Sequence, residues 1–236
     1  MAEASTHAPV VDPLHDPERV AAASRLLREV SGPAAFDRLS RLAARLVGAD
    51  HAKITIFTDD DLVVGGYGLP EGVVGGPALL TGALSAITVA RAAPLNLPSA
   101  TDDERVAHLP AVTSGQVRSY LGAPLVAASG HAVGALAVYD PTPHDWTDEH
   151  VAVLTQLAAS VVTELELAAA NAESTSALRR LEVALEASSV GIWEVDLRAG
   201  VIHWDQRCAA IFGREGAVTI PMDQLFREHV HPEDQA

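Results

Sequence analysis

One cysteine, Cys208, stands among 236 residues, so no internal disulfide can form, and no Cys/His cluster has the spacing of a zinc site. A reducing, cytoplasmic setting fits that shortage. Aromatic residues are only 4% of the chain, and 16 basic residues face 31 acidic ones, for a formal net charge of −15. Such a surface repels phosphates and anionic lipids, and Lys and Arg form no basic stripe, which argues against nucleic-acid binding. The chain does not open with a basic start and an apolar stretch, so no secretory leader is expected. Two uncharged runs, Val73 to Ala90 and Tyr120 to Tyr139, are broken by Gly75, Gly76 and Pro77 and by Pro124, Ser129, Gly130 and Gly134, and neither reads as a membrane span. Also missing are a Ser-His-Asp order, a phosphate-cradling glycine loop and an H-E-x-x-H helix, so no catalytic residue is assigned and no enzyme is expected in this stretch.

What is present is apolar content of 48%, much of it Ala and Val, enough to bury a core of small side chains. Residues 1–16 read as a disordered tail. A helix starts after Asp16 with Pro17 at its first position, and Val20, Ala23, Leu26, Leu27 and Val30 form one stripe before Ser31-Gly32. Pro33 opens a second helix with Phe36, Leu39, Leu42, Ala43 and Leu46 on one face and Gly48 as its stop. Ile54 and Ile56 alternate with polar residues as in a half-buried strand, and Leu62 to Tyr67 returns after Asp59-Asp60-Asp61. Those three acids read as a solvated turn, since a hard cation needs more converging oxygens. Leu79 to Ala90 reads as a helix, and Pro94 to Pro98 as an edge strand bounded by prolines. Asp102, Asp103 and Glu104 open a short helix. Leu121 to Ala128 and Ala132 to Tyr139 pair as a hairpin, and Thr147 caps a further helix. The order predicts an α+β fold with one antiparallel sheet and flanking helices.

Five separated segments carry a resemblance. They are Pro94-Leu95-Asn96-Leu97-Pro98 with Asp102-Asp103; Arg118 to Leu125; Gly134 to Asp140; Trp146-Thr147; and Leu154 with Leu157-Ala158. In this order they resemble the GAF family over residues 17–168, helix included. The resemblance implies a small-molecule pocket over the sheet, a dimer module, or both. It places Ser85, Asp102, Ser119 and Tyr120 on the pocket wall. No cysteine precedes Cys208, so a covalent bilin is excluded within this domain, and so is the thiolate chemistry of GAF-like methionine sulfoxide reductases. The Asn-Lys…Asp-Glu signature of cyclic-nucleotide-binding GAF domains is also absent, leaving the ligand and any cofactor unknown. His108 as a haem ligand and His203 with His231 as an acid-base pair are weighed and set aside, because nothing else marks either site.

Val151, Leu154, Ala158, Val161, Leu165 and Ala168 recur at spacings of three and four, a heptad seam. Leu178, Leu181 and Leu185 fall one residue out of phase, so the seam breaks or rewinds near Asn171 to Ser176. The pattern is thus read either as two amphipathic helices packed on their own domains or as a dimeric signalling helix with a slippable centre, residues 169–188 being its linker. The second is favoured, with Leu26, Leu27, Val151, Leu154 and Leu165 expected at a homodimer interface. Residues 189–236 give an alternating strand, an Arg198-Ala199-Gly200 turn, a returning strand, a short helix and a His231-Pro232-Glu233-Asp234 ending. They resemble the first part of a PAS domain, truncated at Ala236, and an isolated hairpin of that kind is marginal in water. Together the resemblances imply the regulatory sensor of a bacterial, actinobacterial-type signalling protein. Its output domain, a GGDEF diguanylate cyclase, a metal-dependent Ser/Thr phosphatase or a histidine kinase, would follow. The alternatives are a ligand-free GAF module that only dimerises and, third, a small-molecule enzyme.

Overall fold

The computed structural model describes residues 12–28, 34–58, 60–77, 82–188 and 190–234. Residues 1–11 of the expected tail, Val30, the Ser31-Gly32 stop, Pro33, Asp59, the helix start at Leu79 and the terminal Ala236 lie outside them, as do the side chains of Leu185 and His229. Two compact units form, Met1–Ala172 and Glu173–Ala236.

Helix α1 (Pro17–Leu27) begins as the sequence predicts: the Asp16 carboxylate accepts the Glu18 N–H at 2.9 Å, and Pro17 sits where no amide is needed. Residues 12–16, expected in the tail, instead form a 3-10 turn at Pro13–His15. The buried Arg19 guanidinium holds that turn by donating to the Leu14 carbonyl, and also donates to the Phe57 carbonyl at 2.7 Å. Helix α2 (Ala34–Val47) stops at Gly48, whose φ of 72° suits a residue without Cβ.

Strands β1 (His51–Phe57), β2 (Asp61–Tyr67), β3 (Leu95–Leu97), β4 (Ser119–Val126) and β5 (Ala132–Asp140) make one antiparallel sheet in the order β2-β1-β5-β4-β3. On one face Ile54, Ile56, Leu121, Leu125, Leu136 and Val138 pack with Leu26, Phe36, Val47 and residues of α5 (Asp148–Ser188). On the other, Tyr120, Ala137, Tyr139, Phe57 and Ala135 meet α3 (Gly82–Arg91), the short α4 (Pro110–Thr113) and their loops. This is the expected α+β architecture, with β3 at the edge between its prolines.

Several expectations are corrected. Strand β1 is not half-buried: it lies inside the sheet with helices over both faces, so Ala52 to Phe57 are all buried, Lys53 and Thr55 included. In α2 the inner face carries Phe36, Ser40, Ala43, Ala44 and Val47, while Leu42 (44% exposed) and Leu46 (54%) point outward. Small residues face in because the helix lies so close to β2 that a Cβ on Gly65 would collide with Phe36. Asp102 does not open a helix; it ends a 3-10 turn, Ala100–Asp102, before α4.

Helix α5 carries the largest correction. It is capped as expected, with the Thr147 hydroxyl accepting the His150 N–H at 3.3 Å, but it continues unbroken through Asn171 to Ser176. Its seam faces its own sheet: Leu154, Ala158, Val161, Leu165 and Ala169 are buried, and Ala169 replaces the expected Ala168 because the period is 3.6, not 3.5. Leu26, Leu154 and Leu165 are therefore core residues with no exposed surface to offer a second copy, while Leu27 and Val151 are packed partly buried against them. By length and composition alone, Asp148–Ala184 is also long and apolar enough to cross a membrane, although neither uncharged run weighed in the sequence covers it; 28% of its most apolar window is buried.

In the second unit, β6 (Trp193–Asp196) and β7 (Val201–Trp204) form the expected hairpin, and α6 (Gln206–Ile211) follows. A third strand, β8 (Val218–Pro221), pairs with β7 ahead of α7 (Met222–His229). The hairpin thus gains a partner and a small core of Ile202, Trp204, Cys208, Ala209 and Ile220. Beside it lies an apolar groove of about 360 Å³ lined by Trp193, Phe212, Met222 and Phe226 among others.

Candidate functional site

The sheet face beneath α3 brings together Lys53, Thr55, Ser85 and Thr88 among the buried polar residues of the first unit. Side chains alternate across a strand, so Tyr120 and Gly122 of β4 share this face with Ala137 and Tyr139 of β5. Lys53 is in register with Ala137 on one side and Gly66 on the other, which places it on the same face. His51 and Thr55, two residues away in each direction, share it too.

Tyr120 is fully buried, and its hydroxyl lies 3.1 Å from Thr88 Oγ1 and 3.4 Å from Ser85 Oγ, to which it donates. With the phenol's one proton given to Ser85, the Thr88 hydroxyl divides its own between the Leu84 carbonyl at 3.2 Å and the Tyr120 oxygen. This phenol occupies the space over Gly122, where a Cβ would collide with it. Burial pushes the Tyr120 hydroxyl up to about 12, with the two hydroxyl partners opposing, and burial pushes Tyr139 to about 12 as well. The His51 ring stacks on Tyr139 at 5.0 Å.

Of the four residues predicted for the pocket wall, Ser85 and Tyr120 come together. Ser119 is buried but donates to the Thr142 carbonyl at 3.0 Å, on the strand's other side. Asp102 is exposed at the end of its turn. His108 and His231 are exposed, and His203 lies 2.8 Å from Thr219 Oγ1 on the second sheet. Among the described residues, no three His, Cys, Asp or Glu side chains converge as a metal site.

Sequence reasoning missed Lys53, Thr55 and Thr88. Lys53 is 1% exposed, and burial holds its amine down to about 7, with the Asp61 carboxylate opposing. Thr55 is fully buried and its hydroxyl lacks a hydrogen-bond partner among the described residues. A signal was available: Lys53 is the sole lysine of the chain, and the other fifteen basic side chains are arginines.

A single antiparallel sheet in the order β2-β1-β5-β4-β3, one face sealed by helices and the other covered by α3 and its loops, defines a class of α+β domain. The GAF domain family model matches residues 33–165, more than half of the chain, and the chain belongs to the GAF family, whose members are generally sensory and regulatory modules. Among solved structures, the GAF domain of a phosphoenolpyruvate-protein phosphotransferase from Coxiella burnetii is 21% identical, covering 66% of this chain and 96% of that one with a TM-score of 0.52. The corresponding domain from Acinetobacter is 22% identical over 67% and 96%, with a TM-score of 0.49. The GAF-B domain of DevS from Mycobacterium smegmatis is 19% identical over 60% and 98%, with a TM-score of 0.47. At such identities the likeness is one of fold. No curated protein matches.

Proposed function

We propose that the chain is a regulatory sensor module of a bacterial, cytoplasmic signal-transduction protein. A small molecule binds on the sheet face beneath α3, and its effect passes along α5 to the PAS-like second unit and an output domain beyond. The observation that carries this reading is α5 itself. Its first half is core to the GAF domain through Leu154, Ala158, Val161 and Leu165, and it continues unbroken to Ser188. A shift in how the sheet packs on that seam must move the helix, because packed interfaces adopt discrete arrangements. A ligand biases such arrangements only by its difference in affinity between them.

The dimer is reassigned within this proposal. Leu167, Leu178 and Leu181 are exposed, and their spacings of eleven and three put them on the side of α5 opposite its buried seam. A second copy packed along that side would align two signalling helices. Sedimentation at tens of micromolar, an order-of-magnitude choice on the usual affinity scale, tests it: a dimer lost in Leu178→Glu/Leu181→Glu supports the reading, and a wild-type monomer overturns the dimer. Native mass spectrometry of protein from its own host tests the ligand.

A second reading, a GAF module that binds nothing and only associates, draws on Tyr120. Its hydroxyl, with Ser85 and Thr88, fills the space over Gly122. Tyr120→Ala separates the two, since opening that space creates binding only if no ligand normally enters.

A further inference from the structure

We propose that the first unit pairs with a second copy of itself through the outer surface of its helical layer, the basic face of α2 in one copy lying against the acidic outer side of α5 in the other. The inference rests on the dimer reading above and names the surface that meets α5 ahead of Leu178 and Leu181.

The face of α2 comes first. The sequence reads as lacking a basic stripe, yet this helix turns one outward. Arg38, Leu42 and Leu46 recur every four residues, with Arg41 and Arg45 beside them, and all five are exposed. The one acid of α2, Asp37, accepts the Gly66 N–H at 2.9 Å instead of pairing with them. Elsewhere Arg105, Arg214 and Arg227 each pair with a carboxylate. The three arginines of α2 have no carboxylate partner among the described residues, although acids outnumber basic residues by 31 to 16 in the chain. Arg41 lies over the Tyr67 ring, 5.8 Å from its centre. Three positive charges and two large apolar side chains thus share one exposed face, the mixture that marks a contact surface.

Charge decides what covers it. A two-fold pair that set α2 on α2 would oppose arginine to arginine, so a symmetric contact must set α2 against a different helix. From Asp148 to Ala172, α5 carries the acids Asp148, Glu149, Glu164 and Glu166 and no Lys or Arg. Glu166 accepts the Ala128 N–H at 2.6 Å. Glu149, Gln156, Ser160, Glu164 and Leu167 are exposed along the side opposite the buried seam. Helices α2 and α5 cover the same sheet face, through Phe36, Ala43 and Val47 and through Leu154, Val161 and Leu165, so the outer sides of both look away from it. A two-fold contact is reciprocal, and one pairing therefore sets α2 on α5 twice. It takes Leu42, Leu46 and Leu167 out of water and brings the arginines to Glu164; the leucines supply strength and the charges supply register. An anionic lipid surface suits the same arginines less, because the net charge of −15 is repelled by it.

Sedimentation velocity of the full chain tests the pairing. Wild type should dimerise at tens of micromolar, an order-of-magnitude choice on the usual affinity scale. Its dissociation constant should rise by about threefold to tenfold between about 0.05 and about 0.5 M salt, because exposed charge pairs are screened. Arg41→Glu/Arg45→Glu should weaken the dimer about tenfold or more, and Glu164→Arg alone should weaken it too. The triple variant should recover most of the loss, a gain that mere damage to the fold does not give. Circular dichroism checks that the variants fold; if one does not, the salt series on wild type decides, and a dimer indifferent to salt or strengthened by it overturns the proposal. A dimer lost in Leu178→Glu/Leu181→Glu but indifferent to the charge of α2 keeps the dimer reading and sinks this one, as does a triple variant no stronger than Arg41→Glu/Arg45→Glu. A wild type that stays monomeric ends both. Arginine-dependent binding to vesicles containing phosphatidylserine, with the dimer unchanged in Arg41→Glu/Arg45→Glu, would assign the face to lipid and overturn the pairing.

Discussion

Lys53 sets a pH dependence whose sign follows from its burial. Its folded pKa of about 7 lies below the ordinary 10.5, so unfolding takes up a proton between those values. The unfolded state then binds more protons, and this residue's contribution to stability rises with pH across that window by about 1.4 kcal/mol per unit. Its penalty is fully present below pH 7 and is relieved towards pH 10. Lys53→Met should therefore be more stable than wild type at pH 6, by about 1–4 kcal/mol. The gap should narrow by pH 9, as urea denaturation at the two pH values will read. A variant less stable at pH 6 than wild type would show that Lys53 has a stabilising partner of greater weight. Tyr120 acts in the opposite direction at higher pH: held at about 12 when folded, it favours unfolding once pH passes about 10. Tyr120→Phe should cost about 1 kcal/mol near neutrality, because Thr88 keeps its bond to the Leu84 carbonyl. The sequence marked Tyr120 and Ser85 through the family resemblance, but not Lys53. A lysine next to an isoleucine in an alternating strand reads as solvent-facing until the sheet order puts helices over both faces.

At the scale of elements, close approach decides more than apolarity. Helix α2 seats Ser40 and Ala44 on the sheet and turns Leu42 and Leu46 outward because Gly65 lets its backbone lie against β2. Gly65→Ala should thus cost about 1–3 kcal/mol or more, since the obstructing atoms include Phe36 backbone that cannot rotate away. Leu42→Glu should change monomer stability by less than about 0.5 kcal/mol in thermal melts, despite being a leucine in a helix. By contrast, Leu165→Ala, fully buried in the main core, should cost about 2–5 kcal/mol. Element existence and type were readable from periodicity, caps and prolines: Asp16-Pro17, Gly48, Pro94 to Pro98 and Thr147 all sit where the sequence predicts. Which side of a helix faces in was not readable for α2 or α5. Heptad and 3.6-residue patterns coincide over short stretches, and a seam against one's own sheet carries the same apolar residues as a seam against a second copy.

At the scale of the whole molecule, the two units differ greatly in core size. The first buries two layers around a five-stranded sheet, while the second rests on Ile202, Trp204, Cys208, Ala209 and Ile220. Burial raises the pKa of the sole thiol and slows its reaction, so the rate at which Cys208 is labelled reports on opening of the second unit alone. Ellman's reagent in a urea series should label Cys208 at lower denaturant than the loss of the main circular dichroism transition, because the smaller core supplies less burial energy. Coincident transitions would show that the units unfold together.

By itself the sequence determined the α+β class, the order of the five strands of the first sheet, the lack of a thiol in the GAF domain and the GAF family resemblance. These depend on local signals: prolines, glycines, caps, alternation and the position of one cysteine. Only the tertiary structure decided that β1 is buried on both faces, that Lys53 and Thr55 share a face with Tyr120, and that Leu26, Leu154 and Leu165 belong to the core. Each of those depends on what stands across from a residue in space, and pairing between strands far apart in sequence, as Lys53 with Ala137, leaves no mark on the local pattern of either.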